Sequence, residues 1–115
     1  MADVPATKPL AEGQLMTVFR SRRRAESESA YQRLFEELQD AARSVPGFVD
    51  FKSFVAEDGE RVSLVTFANL ESHQVWRNDP RHRMAMKAGR EEFYCQYSVQ
   101  VGECTHVSEW TRDSS

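Results

Sequence analysis

The sequence predicts an α+β domain in which two strand–helix–strand units share one antiparallel sheet. Three observations carry this prediction. Extended and helical patterns alternate in the order strand, helix, strand, strand, helix, strand. An Asp58-Gly59 pair joins the two middle strands by a tight turn. The middle strands are apolar on both faces, so the sheet is to be covered twice, once by helices and once by something else. The order of elements is the split βαβ, or ferredoxin-like, plan (βαββαβ).

Residues 1–13 are small, polar and proline-bearing and read as a loose tail, 14–110 as the folded domain and 111–115 as a polar tail. The first strand opens at Gln14, runs through Leu15, Met16, Thr17, Val18 and Phe19, and ends in a basic cluster, Arg20 with Arg22 to Arg24. That cluster is either a solvated strand end or an anion-steering patch. In the next segment Tyr31, Leu34, Phe35, Leu38, Ala41, Ala42 and Val45 recur every three or four residues and make one apolar helix face. Ser29 with Gln32 has the spacing of a capping box, and Pro46-Gly47 stops the helix. Phe48–Ala56 and Arg61–Ala68 form a hairpin, and a last strand runs from about Tyr94 to Val107.

At 115 residues the chain is one domain with room for a core, and 40% hydrophobic content argues against disorder. A formal charge of −3 lacks the basic footprint of a nucleic-acid partner. No apolar run has the length of a membrane span, and the N-terminus has no apolar signal core, so a cytoplasmic protein is expected. Cys95 and Cys104 lie on one predicted strand about 30 Å apart, too far to bridge, and with the histidines they match no zinc spacing. No metal is expected.

The doubly apolar sheet predicts the partner. Phe48 and Phe54 oppose Val49, Phe51 and Val55, while Val62 and Leu64 oppose Val65 and Phe67. Two helices cover one face only, and a second copy of the chain is the economical cover for the other. The expectation is a homodimer packed sheet to sheet.

The most informative stretch is Asn69 to Tyr97. Asn69 is placed to cap a helix that carries Trp76 two turns later, and Asp79-Pro80 is a cap-and-first-residue pair that breaks this helix and starts another. His82 then falls on the new first turn, where free N–H groups and the helix dipole favour a neutral imidazole, as a general base near pH 7 requires. It reads either as that base or as a polar cap or interface contact. His73 shares the helix face of Trp76. Met84, Met86 and Phe93 read as core or pocket lining. Tyr94 and Tyr97 differ by three, so on a regular strand only one of them points into a given cavity. Arg77, Arg81, Arg83, Lys87 and Arg90 read mostly as a solvated helix face, with one of them available to hold a phenolate or carboxylate.

The segments LMTVFRSR, Pro46-Gly47-Phe48, Trp76-Arg77-Asn78-Asp79-Pro80-Arg81-His82 and GREEFYCQYSVQV resemble the antibiotic biosynthesis monooxygenase (ABM) family of the dimeric α+β barrel superfamily, over roughly Leu15 to Trp110. The resemblance implies a cofactor-independent monooxygenase that oxidises a quinol- or anthrone-like aromatic molecule with O2. Under it His82 is the base, Trp76 encloses the ring, and Arg77 or Asn78 holds the anion. Thr17, Phe19, His73, Met86 and Tyr94 complete the cavity. The family also contains isomerases, heme-degrading oxygenases and proteins without a known substrate, so a non-catalytic ligand-binding dimer or an isomerase is the alternative. The heme-degrading branch places an asparagine on the first strand and a histidine about ten residues beyond the tryptophan. Here the first strand has Thr17 and Phe19, and Met86 stands ten residues after Trp76, which disfavours heme.

Overall fold

The computed structural model describes residues 9–24 and 28–112, without the side chain of Glu28. Four strands, β1 (Leu15–Arg23), β2 (Phe48–Val55), β3 (Arg61–Phe67) and β4 (Tyr94–Glu103), form one antiparallel sheet in the order β2-β3-β1-β4. Three helices, α1 (Glu28–Arg43), α2 (Leu70–Asn78) and α3 (Pro80–Ala88), followed by a π-helical turn at Gly89–Phe93, lie on one side of it. This is the predicted ferredoxin-like arrangement. The loose 1–13 tail and the 111–115 tail fall partly outside the described residues, but Gly13 donates to the Cys104 carbonyl and so is tied to the sheet.

Each helix follows from its sequence. On α1 the predicted face is the buried one: Tyr31, Leu34, Leu38, Ala41 and Ala42 are in the core, as is Val45 just past the helix, with Phe35 packed against it. Ser29 is the second helical residue, so it does not cap α1, and the residues just before the helix lie outside those described. Gly47 ends the excursion after α1 at φ 98°, the left-handed region that glycine tolerates. A Cβ there would collide with the Ser72 hydroxyl, so Gly47 also lets the chain pass against α2. Its carbonyl accepts from Ala68 N–H at 2.7 Å, clasping both ends of the hairpin.

Two irregularities change which side chains share a face. The β2–β3 register shifts between Phe48 and Asp50, so Phe48 pairs with Phe67 and packs on the helix side with Phe51. The expectation that Phe48 opposes Phe51 assumed unbroken alternation and is corrected by this bulge. In the second, Arg22 pairs with Gln96 but Arg23 with Tyr94, which leaves Cys95 as an extra residue on β4. The strand itself ends at Glu103, short of Val107, because Leu15–Glu103 is the last register pair that β1 provides. Both cysteines are free thiols, Cys95 exposed.

The core divides into two clusters. One gathers Tyr31, Leu34, Leu38, Ala85, Phe93 and Tyr94, and the other Ala41, Ala42, Val45, Val65, Phe67 and Trp76. Phe67 is fully buried at the centre of the second, with its ring 5.3 Å from Trp76, 6.0 Å from Phe48 and 6.1 Å from His73. On the opposite sheet face Met16, Phe54 and Leu64 are 42%, 49% and 40% exposed, an apolar surface that no helix among the described residues covers. No helix among the described residues is long and apolar enough to cross a membrane.

Phe67→Ala is expected to lower the unfolding free energy by about 3–5 kcal/mol, the cost of a cavity at a buried aromatic site. Urea unfolding followed by far-UV circular dichroism measures it, and a loss below about 1 kcal/mol would deny Phe67 its central place.

Candidate functional site

The site is assembled by the break between α2 and α3. Asn69, with extended backbone, caps α2 by accepting from Ser72 N–H at 2.9 Å. Asp79 ends α2 by donating its N–H to the Trp76 carbonyl at 3.1 Å, and its side chain starts α3 by accepting from Arg81 N–H at 2.7 Å. Pro80 follows at the first helical position, where its missing N–H costs nothing. The bend sets the ring of His82 edge-on to the indole of Trp76, with centroids 4.5 Å apart.

These rings line a cavity of about 430 Å³ between the helices and the sheet, within the range usual for small-molecule sites. β1 supplies Thr17 and Phe19, α2 His73, Trp76 and Arg77, α3 His82 and Met86, the π-helical turn Arg90, and β4 Tyr94 and Tyr97. Of the predicted site residues, only Asn78 does not line the cavity. It is exposed, and its side-chain carbonyl accepts from Arg83 at 3.1 Å, so it is corrected to an external helix-end contact. Met84 is 72% exposed and is neither core nor lining.

Tyr94 and Tyr97 both line the cavity, against the expectation from strand alternation. The extra residue Cys95 shifts the face by one, bringing both tyrosines to the helix side. Their rings lie 5.8 Å apart and pack on Phe19 at 5.6 and 5.3 Å, forming an aromatic wall. Gly89 allows this packing. A Cβ on it would lie 2.6 Å from the Tyr94 ring. Burial pushes the Tyr94 phenol well above its ordinary pKa, so it remains a neutral hydroxyl. Sequence reasoning missed Tyr31, Phe35 and Leu38 as lining because they belong to the apolar face of α1 that builds the core, and it missed Phe51, which packs against the second core cluster from β2.

Both histidines are held neutral. Burial, then the positive charge of Arg77, lowers His82 to about 4, and Asp79 opposes this only in part. Burial and Arg77 also lower His73. His73 is 2% exposed, and its Nε2 lies 3.1 Å from Thr17 Oγ1, which ties α2 to the middle of the sheet. Its Nδ1 and the Trp76 Nε1 are shut off from solvent without a hydrogen-bond partner. The predicted neutral state of His82 thus follows chiefly from desolvation and a neighbouring cation.

The basic residues have separate places. Arg20 pairs with Glu60 at 2.9 Å and Arg22 with Asp58 at 2.8 Å, beside the hairpin turn. Arg23 stacks over the Tyr31 ring at 4.3 Å, and Arg81 binds Asp79 at 3.0 Å. Among the described residues, Arg77 and Arg90 are the arginines that line the cavity. Among the described residues no three His, Cys, Asp or Glu side chains come together as metal ligands would.

Because the folded state lowers the His82 pKa from 6.5 to about 4, the unfolded chain binds the proton more readily between those values. His82 therefore contributes stability above pH 6.5 that is lost as pH falls toward 4. His82→Gln is expected to reduce the stability difference between pH 7.5 and pH 4.5 by roughly 1–2 kcal/mol after allowing for solvent screening. Urea midpoints of both proteins at the two pH values measure this, and an unchanged difference would contradict it.

The antibiotic biosynthesis monooxygenase family model matches residues 15–88. The uncharacterized protein YqjZ of Bacillus subtilis (strain 168) is 26% identical over 80 residues, covering 70% of each chain. Among solved structures, SnoaB, a cofactor-independent oxygenase from Streptomyces nogalater, aligns with TM-score 0.65 at 14% identity over 88% of this chain and 97% of its own. Rv0793 from Mycobacterium tuberculosis aligns with TM-score 0.67 at 16% identity over 89% and 99%. At these identities the structural likeness speaks for the fold, while the family match spans well over half of the chain: it belongs to the antibiotic biosynthesis monooxygenase family.

Proposed function

We propose that this protein is a cofactor-independent monooxygenase acting on an electron-rich aromatic molecule of the quinol or anthrone type. The observation that carries the reading is the convergence of a neutral imidazole, His82, an indole and a guanidinium, Arg77, on one largely apolar cavity. A pocket built only to bind an apolar ligand has no use for that combination. SnoaB, described as a cofactor-independent oxygenase, has the same fold.

The chemistry needs a base, a donor for the resulting anion and exclusion of water. His82 accepts the proton of the phenol or anthrone. Its low basicity in the empty site is no obstacle, because the phenolate formed beside it favours the imidazolium, as an opposite charge does. Arg77 stabilises the substrate oxygen, and Trp76 with Phe19 encloses the ring. The substrate anion gives an electron to O2, and the two radicals combine at carbon. The peroxide then loses water to leave a new carbonyl. One oxygen atom enters the product, the other leaves as water, and the substrate supplies all the electrons.

The exposed sheet face of Met16, Phe54 and Leu64 supports a homodimer packed through that face. The free thiols suit a reducing compartment, and we place the protein in the cytoplasm.

O2 uptake with a panel of anthrones and quinols, with chelator present and without flavin or heme, tests the activity. Uptake is expected to follow protein concentration and to fall by about 100-fold or more in His82→Ala. Full activity of that variant would remove His82 from the mechanism, and no uptake across the panel would favour a binding or isomerase role. Sedimentation equilibrium is expected to give twice the chain mass of 13.2 kDa. A monomer would refute the sheet-to-sheet partner.

A further inference from the structure

Thr17 and His73 form a buried pair in the wall of the cavity, and one side of its hydrogen bonding is left open. His73 Nε2 lies 3.1 Å from Thr17 Oγ1, while His73 Nδ1 is shut off from solvent without a partner. Both residues are buried, and both line the cavity.

A neutral imidazole carries one proton, and its two tautomers give this pair opposite characters. With the proton on Nδ1, a buried N–H would have no acceptor, and Thr17 would spend its own hydrogen on Nε2. The indole N–H of Trp76, whose ring centroid is 6.3 Å from that of His73, is already buried without a partner. This tautomer would therefore add a second orphan donor nearby. Each such group costs about 1–3 kcal/mol, and buried donors are left orphaned more rarely than acceptors. With the proton on Nε2, only a lone pair is left over at Nδ1. Nε2–H then donates to Thr17 Oγ1, and the threonine hydroxyl keeps a hydrogen to give away.

No side chain flanking Thr17 on the sheet can take that hydrogen. Its cross-strand neighbours are Val65 on β3 and Val101 on β4, and Phe19 follows on the same face of β1. Ser63 also lines the cavity, but its hydroxyl pairs with that of Ser53 at 2.6 Å. The open direction for the Thr17 hydroxyl is the cavity.

We propose that Thr17 is a hydrogen-bond donor to a ligand oxygen in this cavity, and that His73 is the positioning residue that keeps the threonine hydrogen free for it. This deepens the oxygenase reading and rests on it only for the fate of the bound oxygen. In that reaction His82 takes the proton, and Thr17 stabilises the oxygen left negative without transferring a proton itself. Donation to a neutral carbonyl needs no turnover, so an aromatic ketone without an acidic hydroxyl tests the donor separately.

Nitrogen NMR of the histidine side chains in the whole protein reads the tautomer. His73 Nδ1 is expected at the shift of a bare nitrogen and Nε2 at that of a protonated one. A protonated Nδ1 would overturn the proposal, and this measurement needs no variant. Titration calorimetry with α-tetralone, and with tetralin as its counterpart lacking the carbonyl, reads the donor. Thr17→Val keeps the shape of the side chain and is expected to weaken tetralone about fivefold, the worth of one neutral hydrogen bond, with tetralin changed by less than about twofold. Thr17→Ser, which retains the hydroxyl, should keep most of the affinity for tetralone. An equal effect of Thr17→Val on both ligands, no effect on tetralone, or no binding of tetralone by the unaltered protein would overturn the proposal. Thr17-dependent binding of tetralone with no O2 uptake across the anthrone and quinol panel would uphold the donor and overturn the oxygenase reading. O2 uptake undiminished in Thr17→Val would do the reverse.

Discussion

The site depends on one carboxylate. In an unbroken α-helix, residues 76 and 82 would lie about 120° apart around the axis and about 9 Å apart along it, with their rings on different faces. Asp79 prevents this by serving both helices, as the last backbone donor into α2 and the first side-chain acceptor of α3. Its own backbone is extended at φ −64° and ψ 130°, the region to which a residue before proline is confined. The turn so made places His82 against Trp76, and the indole in turn rests on Phe67 at the sheet. A single Asp-Pro pair thus converts two remote ring positions into neighbours. The bidentate hold of Arg81 on the same carboxylate, with a further bond from Arg81 to Ser44 of the segment after α1, keeps the elbow from opening.

This elbow was legible because its chemistry is local. Asn69, Asp79 and Pro80 act on their own backbone within a few residues, and the sequence shows those distances directly. The apolar face of α1 was legible for a related reason, since burial repeats with the helical period. The two bulges were not. Whether Phe48 shares a face with Phe51, or Tyr94 with Tyr97, depends on where one strand carries an extra residue relative to its partner, a property of the pair that neither strand displays alone. Period-two reading therefore put one tyrosine outside a cavity that contains both. Asn78 failed differently: it is adjacent to Arg77 in sequence, but successive helical residues point about 100° apart, so one reaches the cavity and the other reaches Arg83.

The same lining explains why the core and the site cannot be separated by composition. Tyr31, Leu38 and Val65 are core residues that also face the cavity. An apolar wall excludes water, and exclusion of water is what holds His73 and His82 neutral and the Tyr94 phenol protonated. Packing that stabilises the fold therefore also sets the protonation states of the site. Substitutions in this wall act on stability and on acid–base behaviour together, so a lost activity there does not by itself identify a residue that touches substrate.

Electrostatics acts on the imidazoles beyond what burial does. The cation of Arg77 near two neutral imidazoles makes formation of a further cation costly until an anion arrives, so in the proposed reaction proton transfer to His82 would be favoured by the substrate's own oxygen. Water, which offers no comparable delocalised anion, gains little from the same base. In the proposed reaction this arrangement would couple chemistry to occupancy: the imidazole of His82 is a weak base in the empty site and would become effective when an aromatic substrate with an ionisable hydroxyl fills it.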